Sequence, residues 1–433
     1  MAIASPNTTT STSTPGSGQK YGAALATVTT LFFMWGFLTC LNDILVPHLK
    51  SIFDLNYAGI MLVQFAFFGS YFLFSIPSAK LIDAIGYKRS MVVGLLTMGV
   101  GAFLFVPAAS VPSYPLFLGA LIVLAAGITC LQVAANPYVT VLGKPETASS
   151  RLNLTQAFNS LGTFLAPFFG GLFILTTARK IEEIRALAPV DLQAYRLHEA
   201  ATVKMPYVGL GIALVLLAIA IGSFKLPTIE HAQHQLGQKV NDSIWKHPNL
   251  IFGAIAIFVY VGAEVSIGSF LVNYFSQPDI GGLTEKVAAS FVAFYWGGAM
   301  VGRFIGSALL QKVKTGNLLG LCAVCAAALV AMSMLTNGHV AMYSIILVGF
   351  FNSIMFPSIF TLGVAELGPL TGDGSGMLIM AIVGGAIIPV AQGWIADRIG
   401  IHHAFFLPVI CYLYILFFAL SGSKPNSERY RTQ

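Results

Sequence analysis

Two carboxylates stand inside long apolar stretches of this chain. Asp43 follows the run "LFFMWGFLTCLN", which begins at Leu31, and Glu264 lies within "YVGAEVSIGSF". An ionised carboxylate in hydrocarbon is costly, so intramembrane carboxylates usually serve a function. Such a group can load a proton from one side of a membrane and release it to the other. Asp43 and Glu264 are therefore predicted to couple transport to protons, with helix packing as the alternative for Asp43. Glu264 could instead bind substrate hydroxyls.

Amides and hydroxyls recur at helical spacing on three apolar segments. The first segment carries Thr39, Asn42 and Asp43, the fourth Thr129, Gln132, Asn136 and Thr140, and the fifth Asn153, Gln156, Asn159 and Thr163. Spacings of three and four place each set on one helix face. Amides both donate and accept hydrogen bonds, as the hydroxyls of a sugar require. Packing between helices is the alternative for any single amide.

These patterns predict a sugar-binding site that also contains aromatic side chains. Aromatic rings complete such sites by covering the apolar faces of a pyranose ring, and the candidates lie in the second half of the chain. The predicted substrate-binding residues are Asn42, Gln132, Asn136, Gln156, Asn159, Glu264, Tyr260, Trp296 and Phe356.

The elements that must position these residues are membrane helices. The hydrophobic fraction is 56% and the charged fraction 9%, whereas soluble domains carry about 25% charged residues. Twelve apolar segments are long enough to cross a bilayer. They lie near 22–48, 57–83, 89–108, 114–142, 152–177, 205–226, 248–276, 286–310, 317–336, 340–367, 375–396 and 402–421. The fold class is therefore an all-α membrane protein.

Polar stretches divide the chain into two six-helix halves. We expect a disordered cytoplasmic tail at 1–20, halves at 21–226 and 247–422, a cytoplasmic linker at 227–246 and a second tail at 423–433. With the N-terminus inside, fifteen of the 23 Lys and Arg fall on the inner side. This bias predicts that both termini are cytoplasmic, in the plasma (inner) membrane of a bacterium.

The two halves are weakly similar in sequence. Segment four ends in "ANPYVTVLG" and segment ten carries "MFPSIFTLG", with Pro137 and Pro357 in corresponding places. Two related six-helix halves are typical of transporters that move one half against the other around a central site.

The motif "AKLIDAIGYKRS" after segment two resembles the loop signature of the major facilitator superfamily. The match is degenerate, because Ala79 stands where the family has glycine. The resemblance implies that charged residues near the cytoplasmic loops act in gating. These are Asp83, Lys88, Arg89, Arg151 and Arg303.

Within that superfamily the chain resembles the fucose permease-like sugar:proton symporters. The resemblance rests on "LNDILVPHLK", "CLQVAANPYVTVLG", "RLNLTQAFNSLG" and "YVGAEVSIGSFLVNY". It implies that Asp43 matches the family's proton-coupling aspartate. Gln132 departs from the fucose permease pattern "CLETAANP", in which a glutamate stands at that position.

These observations predict import of a hexose-type sugar by proton symport through alternating access. The partners are then a small sugar, a proton and the lipid bilayer, without nucleic acid, and the protein is expected to work as a monomer. No organic cofactor or metal is predicted. A sodium-coupled sugar symporter is the first alternative, and a drug/proton antiporter the next.

Two alternatives belong to other classes. "TGDGSG" at 371–376 resembles the Gly-Asp of intramembrane aspartyl proteases, but that chemistry needs two facing aspartates within helices. Asp373 is expected to lie in a loop, so no enzyme is predicted. A non-transporting membrane sugar receptor is the other alternative.

Overall fold

The fold was analysed in a computed structural model. It describes residues 22–37, 57–111, 113–173, 204–224, 226–227 and 242–425, with a few residues between 188 and 197. Throughout these ranges the secondary structure is helical, with turns and no strand.

Five helices form the described part of the first half. They are α1 (Gly22–Phe37), α2 (Tyr57–Ser110), α3 (Tyr114–Val141), α4 (Ala148–Phe173) and α5 (Lys204–Ser223). Helix α2 packs along α3 and α5. It is long enough for two membrane crossings, and its helical geometry breaks at Gly86 (φ 80°, ψ 165°). A positive φ of this kind favours glycine, so Gly86 sets the junction between predicted segments two and three.

The second half contains nine further helices. They are α6 (Pro248–Phe275), α7 (Glu285–Leu309), α8 (Thr315–Leu335), α9 (Gly338–Asn352), α10 (Met355–Gly363), α11 (Thr371–Met380), α12 (Gly384–Ile399), α13 (Ile401–Ala404) and α14 (Phe406–Phe417). Helices α9 and α10 together make predicted segment ten, α11 and α12 segment eleven, and α13 and α14 segment twelve.

The predicted membrane class is confirmed by these helices. Within the described ranges, nine helical stretches are long and apolar enough to cross a membrane, and the one over Leu62–Ser110 spans 49 residues. At about 1.5 Å per residue, that stretch is long enough for two crossings.

The prediction that Asp373 lies in a loop is wrong. Asp373 is in the first turn of α11, which begins at Thr371 after a short 3-10 turn at Gly368–Leu370. The glycines of "TGDGSG" suggested a loop. They are instead accommodated in a helix whose small residues pack closely against the first half.

Among the described residues, hydrogen bonds join the two halves at the face of the bundle where α5 ends and α6 begins. We call this the linker face. There Ser150 donates to the Ser307 carbonyl oxygen (2.7 Å) and Ser307 donates to the Ser150 carbonyl oxygen (3.2 Å). Ser375 of α11 donates to the Val133 carbonyl oxygen of α3 (2.9 Å). These bonds hold the linker face closed.

Candidate functional site

Helices α3 and α4 carry buried amides whose hydrogen-bonding capacity is not filled by described residues. The Gln132 amide nitrogen donates to the Tyr71 hydroxyl of α2 (2.7 Å), but the Gln132 side-chain oxygen has no hydrogen-bond partner among the described residues. The same is true of both polar atoms of the Asn136 side chain and of the Gln156 amide nitrogen. An unpaired buried polar group costs about 1–3 kcal/mol. A hydroxylated ligand that reaches these groups would recover part of that cost.

Other members of the predicted stripe are engaged in packing. The Asn159 amide donates to the Phe32 carbonyl oxygen of α1 (2.9 Å), and the Thr163 hydroxyl lies 3.2 Å from the Gly36 carbonyl oxygen. Asn153 crosses to the second half, where its amide donates to the Arg303 carbonyl oxygen (2.7 Å). Asn159 therefore joins α1 to α4 in this conformation.

Glu264 lies near the middle of α6, inside a network of tyrosines. The Tyr260 hydroxyl lies 2.8 Å from the Glu264 carboxylate and 3.1 Å from the Asn352 carbonyl oxygen. Asn352 donates to the Tyr295 hydroxyl (2.9 Å) and accepts from the Tyr412 hydroxyl (2.8 Å). Both polar atoms of the Asn352 side chain are thus occupied. The network fixes the position of Glu264.

Two of the predicted aromatic residues, Trp296 and Phe356, lie on α7 and α10 of the second half. Trp296 of α7 is 43% exposed, and a methyl group on Gly268, one turn beyond Glu264, would come within 2.9 Å of the Trp296 ring. Phe356 stacks on Phe360, with 6.1 Å between ring centroids. The lack of a side chain at Gly268 lets the Trp296 indole pack closely against α6, one turn from Glu264.

Arg303 is a predicted gating residue of the second half that reaches across to the first half. Its guanidinium donates to the Ser160 hydroxyl of α4 and to the Ser353 carbonyl oxygen (3.3 Å). The Glu264 carboxylate lies 4.0 Å from its other terminal nitrogen. The Arg303 and Glu264 side chains are only 15% and 13% exposed.

Asp83 lies at the junction of the halves, beside the N-terminus of α11. A methyl group on Gly372 would come within 3.3 Å of its carboxylate oxygen. Helix N-termini favour negative charge, so this position stabilises the closed linker face.

The other predicted gating residues lie within the first half. Lys88 donates to the Gly222 carbonyl oxygen at the end of α5 (2.7 Å). Arg151 donates to the Thr140 carbonyl oxygen within the last turn of α3 and to the Lys144 carbonyl oxygen just beyond it, each at 2.8 Å. Arg89 is exposed. In this conformation Lys88 and Arg151 cap helix ends.

Two predicted site residues, Asn42 and Asp43, lie outside the described residues. Their roles stay predictions.

The network around Glu264 contains residues that the sequence patterns did not single out. They are Tyr295, Asn352 and Tyr412. Outside that network, the patterns also did not single out Tyr71, which bonds to Gln132, or Ser160, which bonds to Arg303. Asn352 offered one signal, since it is the one amide in predicted segment ten. The tyrosines gave none, because aromatic residues are ordinary in membrane helices.

The chain matches the model of the Major Facilitator Superfamily over residues 24–381. It is 53% identical to the glucose/galactose transporter of Brucella abortus over 98% of this chain and 100% of that protein. It is 35% identical to the L-fucose-proton symporter of Escherichia coli, over 94% of this chain and 95% of that protein. The crystal structure of the transporter FucP in the outward conformation matches with a TM-score of 0.85 at 33% identity, over 96% of this chain and 100% of that one. The chain belongs to the Major Facilitator Superfamily.

Proposed function

We propose that the protein imports a hexose-type sugar together with a proton by alternating access. The observation that carries this proposal is the set of buried, unfilled amides on α3 and α4, held in a fold whose second half contains Glu264 and Arg303. Donors and acceptors of both kinds suit a polyhydroxylated solute. Membership of a transporter family favours transport over an enzyme or a non-transporting receptor.

Glucose and galactose are the first candidate sugars. They are named for the Brucella abortus relative, which is similar over essentially the whole chain. Gln132, Asn136, Gln156 and Asn159 would bind the sugar from the first half, with Asn42 from α1. Glu264, Tyr260, Trp296 and Phe356 would bind it from the second.

The coupling ion is a proton carried by Asp43. The Escherichia coli relative is a proton symporter, which favours a proton over sodium. One charge moved through 100 mV is worth about 2.3 kcal/mol, enough for about 50-fold accumulation of a neutral sugar. Glu264 is a second carboxylate that contacts sugar hydroxyls.

In this proposal the linker face and both termini are cytoplasmic. The protein lies in the inner membrane and works as a monomer. The closed linker face would leave the site accessible from the outside. This agrees with the similarity to a structure in the outward conformation.

Uptake into proteoliposomes tests the proposal. A labelled hexose should accumulate under an imposed pH gradient, and a panel of unlabelled sugars should compete according to affinity. Accumulation that needs a sodium gradient instead would establish the sodium-coupled alternative. Failure of every hexose to enter or compete would reject a hexose transporter.

The variant Asp43→Asn separates coupling from binding. It cannot carry a proton, so accumulation should be lost while sugar exchange across the membrane persists. Asp397→Asn is the matched control, since Asp397 is an exposed carboxylate near the end of α12. Uphill, pH-driven uptake by Asp43→Asn would remove Asp43 from the mechanism.

A further inference from the structure

Helices α6 and α12 of the second half pack along one another with their backbones close together. A methyl group on Gly384 of α12 would overlap the Phe258 carbonyl oxygen of α6. A methyl group on Gly262 of α6 would overlap the Ile388 side chain of α12. Both contacts advance by one helical turn, from 258 to 262 on α6 and from 384 to 388 on α12. The two helices therefore run in the same direction and in register.

One further turn brings a polar residue of each helix to this contact. These residues are Ser266 on α6 and Gln392 on α12. The helices still touch at this level, since a methyl group on Gly393 would lie 3.5 Å from the Phe270 ring. Residues four apart share a helix face. The register therefore places Ser266 and Gln392 opposite each other between α6 and α12.

The polar atoms of both side chains lack hydrogen bonds to the described part of the protein. Ser266 and Gln392 are each 0% exposed. The Ser266 hydroxyl and both polar atoms of the Gln392 side chain have no partner among the described residues, so the two do not bond to each other. In a membrane interior such groups are costly to leave unpaired. The contact therefore calls for a ligand that both donates and accepts hydrogen bonds.

The size and charge of the contact restrict this ligand. An amide and a hydroxyl are both neutral, so they suit a neutral ligand rather than an ion. One turn away, at Gly262, the helices are so close that even a methyl group would overlap Ile388. This spacing leaves no room for a sugar ring between them. Buried water, in contrast, is small and typically makes about three hydrogen bonds to polar groups that are otherwise unpaired.

We propose that Ser266 and Gln392 form a binding site for buried water between α6 and α12. Water bound there joins the Gln392 amide to the Ser266 hydroxyl, donating to one and accepting from the other. The two helices are then linked by polar bonds at a level where the surrounding contacts are apolar.

The water site lies behind Glu264. Ser266 follows Glu264 by two residues, which turns its side chain by about 200° around the helix. Glu264 bonds to Tyr260 on its own side of α6. Helix α6 is therefore held by the tyrosine network on one side and by bound water on the other. The site is separate from the proposed sugar ligands, and it does not depend on the proposed function.

A structure of the full chain in lipid, without sugar and at a resolution that shows ordered water, tests the site directly. Water density should lie within hydrogen-bonding distance, about 2.7–3.2 Å, of both Ser266 and Gln392. A direct bond between the two side chains would overturn the proposal. So would a bond from Gln392 to another protein group, residues 38–56 included, or a site without density.

A double-mutant cycle tests whether the two residues share the water. Ser266→Ala and Gln392→Leu each remove one polar partner, and the second keeps a similar side-chain volume. The thermal unfolding midpoint of the double variant should fall by less than the sum of the single shifts, because either substitution alone already breaks the bridge.

Ser358→Ala supplies the matched control for this cycle. Ser358 on α10 is also 0% exposed, with a hydroxyl that has no partner among the described residues. Its shift should add to that of Gln392→Leu, as expected for residues that share no partner. Additive shifts for Ser266 and Gln392 would overturn the shared water. Should the variants fail to fold, the structure of the unchanged protein decides. Neither measurement uses transport, so failure of the water site leaves the proposed function standing.

Discussion

Buried amides in the first half differ in whether their hydrogen bonds are already made. The Asn159 amide is bound to the Phe32 carbonyl oxygen, whereas the Gln156 amide nitrogen has no partner among the described residues. Both were predicted from sequence as sugar ligands. The difference implies that Gln156 has more hydrogen-bonding capacity to offer a ligand, and that Asn159 also stabilises the contact between α1 and α4.

Gln156→Ala should therefore weaken sugar binding with little loss of stability. The expected loss is about 1–3 kcal/mol, which corresponds to a loss of about fivefold to 160-fold in affinity. Asn159→Ala should lower affinity and also the thermal unfolding midpoint, since the Phe32 carbonyl oxygen loses its donor. Calorimetry of binding and of unfolding on both variants checks this. Equal destabilisation by the two would assign both amides to packing.

Helix α11 approaches the first half more closely than most side chains would allow. A methyl group on Gly376 would come within 2.8 Å of Ala79 and 3.2 Å of the Ser75 carbonyl oxygen, both on α2. Small residues allow such backbone approaches between membrane helices. The element "TGDGSG" thus serves as a contact surface of the closed linker face.

Gly376→Val should push α11 away from α2 and favour the open linker face. Because import requires both conformations, the uptake rate should fall. The distance between labels placed at Lys144 of the first half and Lys312 of the second half should increase. Gly297→Ala on α7 is the control, since its added methyl group meets no atom within 4 Å. Normal uptake and separation in Gly376→Val would show that the contact can relax without opening the face.

The orientation of the whole molecule in the membrane can be tested at one exposed residue on each of its two faces. Lys144 lies at the linker face and Asp279 at the opposite face, and both are exposed. The distribution of Lys and Arg predicts that the linker face is inside.

A membrane-impermeant thiol reagent should label Asp279→Cys in intact cells, and Lys144→Cys only after the membrane is broken. The unsubstituted protein gives the background, in which Cys130, Cys322 and Cys411 are buried. Labelling of Lys144→Cys in intact cells would reverse the proposed orientation.

The sequence by itself determined the class, the helices and the region of the site. A chain with 9% charged residues and repeated apolar segments has to place most of its surface in lipid. The three- and four-residue spacing of the amides located the polar helix faces, because periodicity along a helix is a local property. Tyr260 and Glu264 were both predicted to bind the substrate, and on α6 they lie one turn apart and form a hydrogen bond.

Only the tertiary structure decided which of these groups are already paired and which residues join the halves. Lys88, Arg151 and Arg303 look alike in sequence, yet the first two bind helix ends of their own half and Arg303 reaches Ser160. Asp373 was misplaced because the glycines around it are compatible with a loop until α2 packs against them. Contacts between residues more than a hundred positions apart depend on how helices pack, and no local pattern encodes that arrangement.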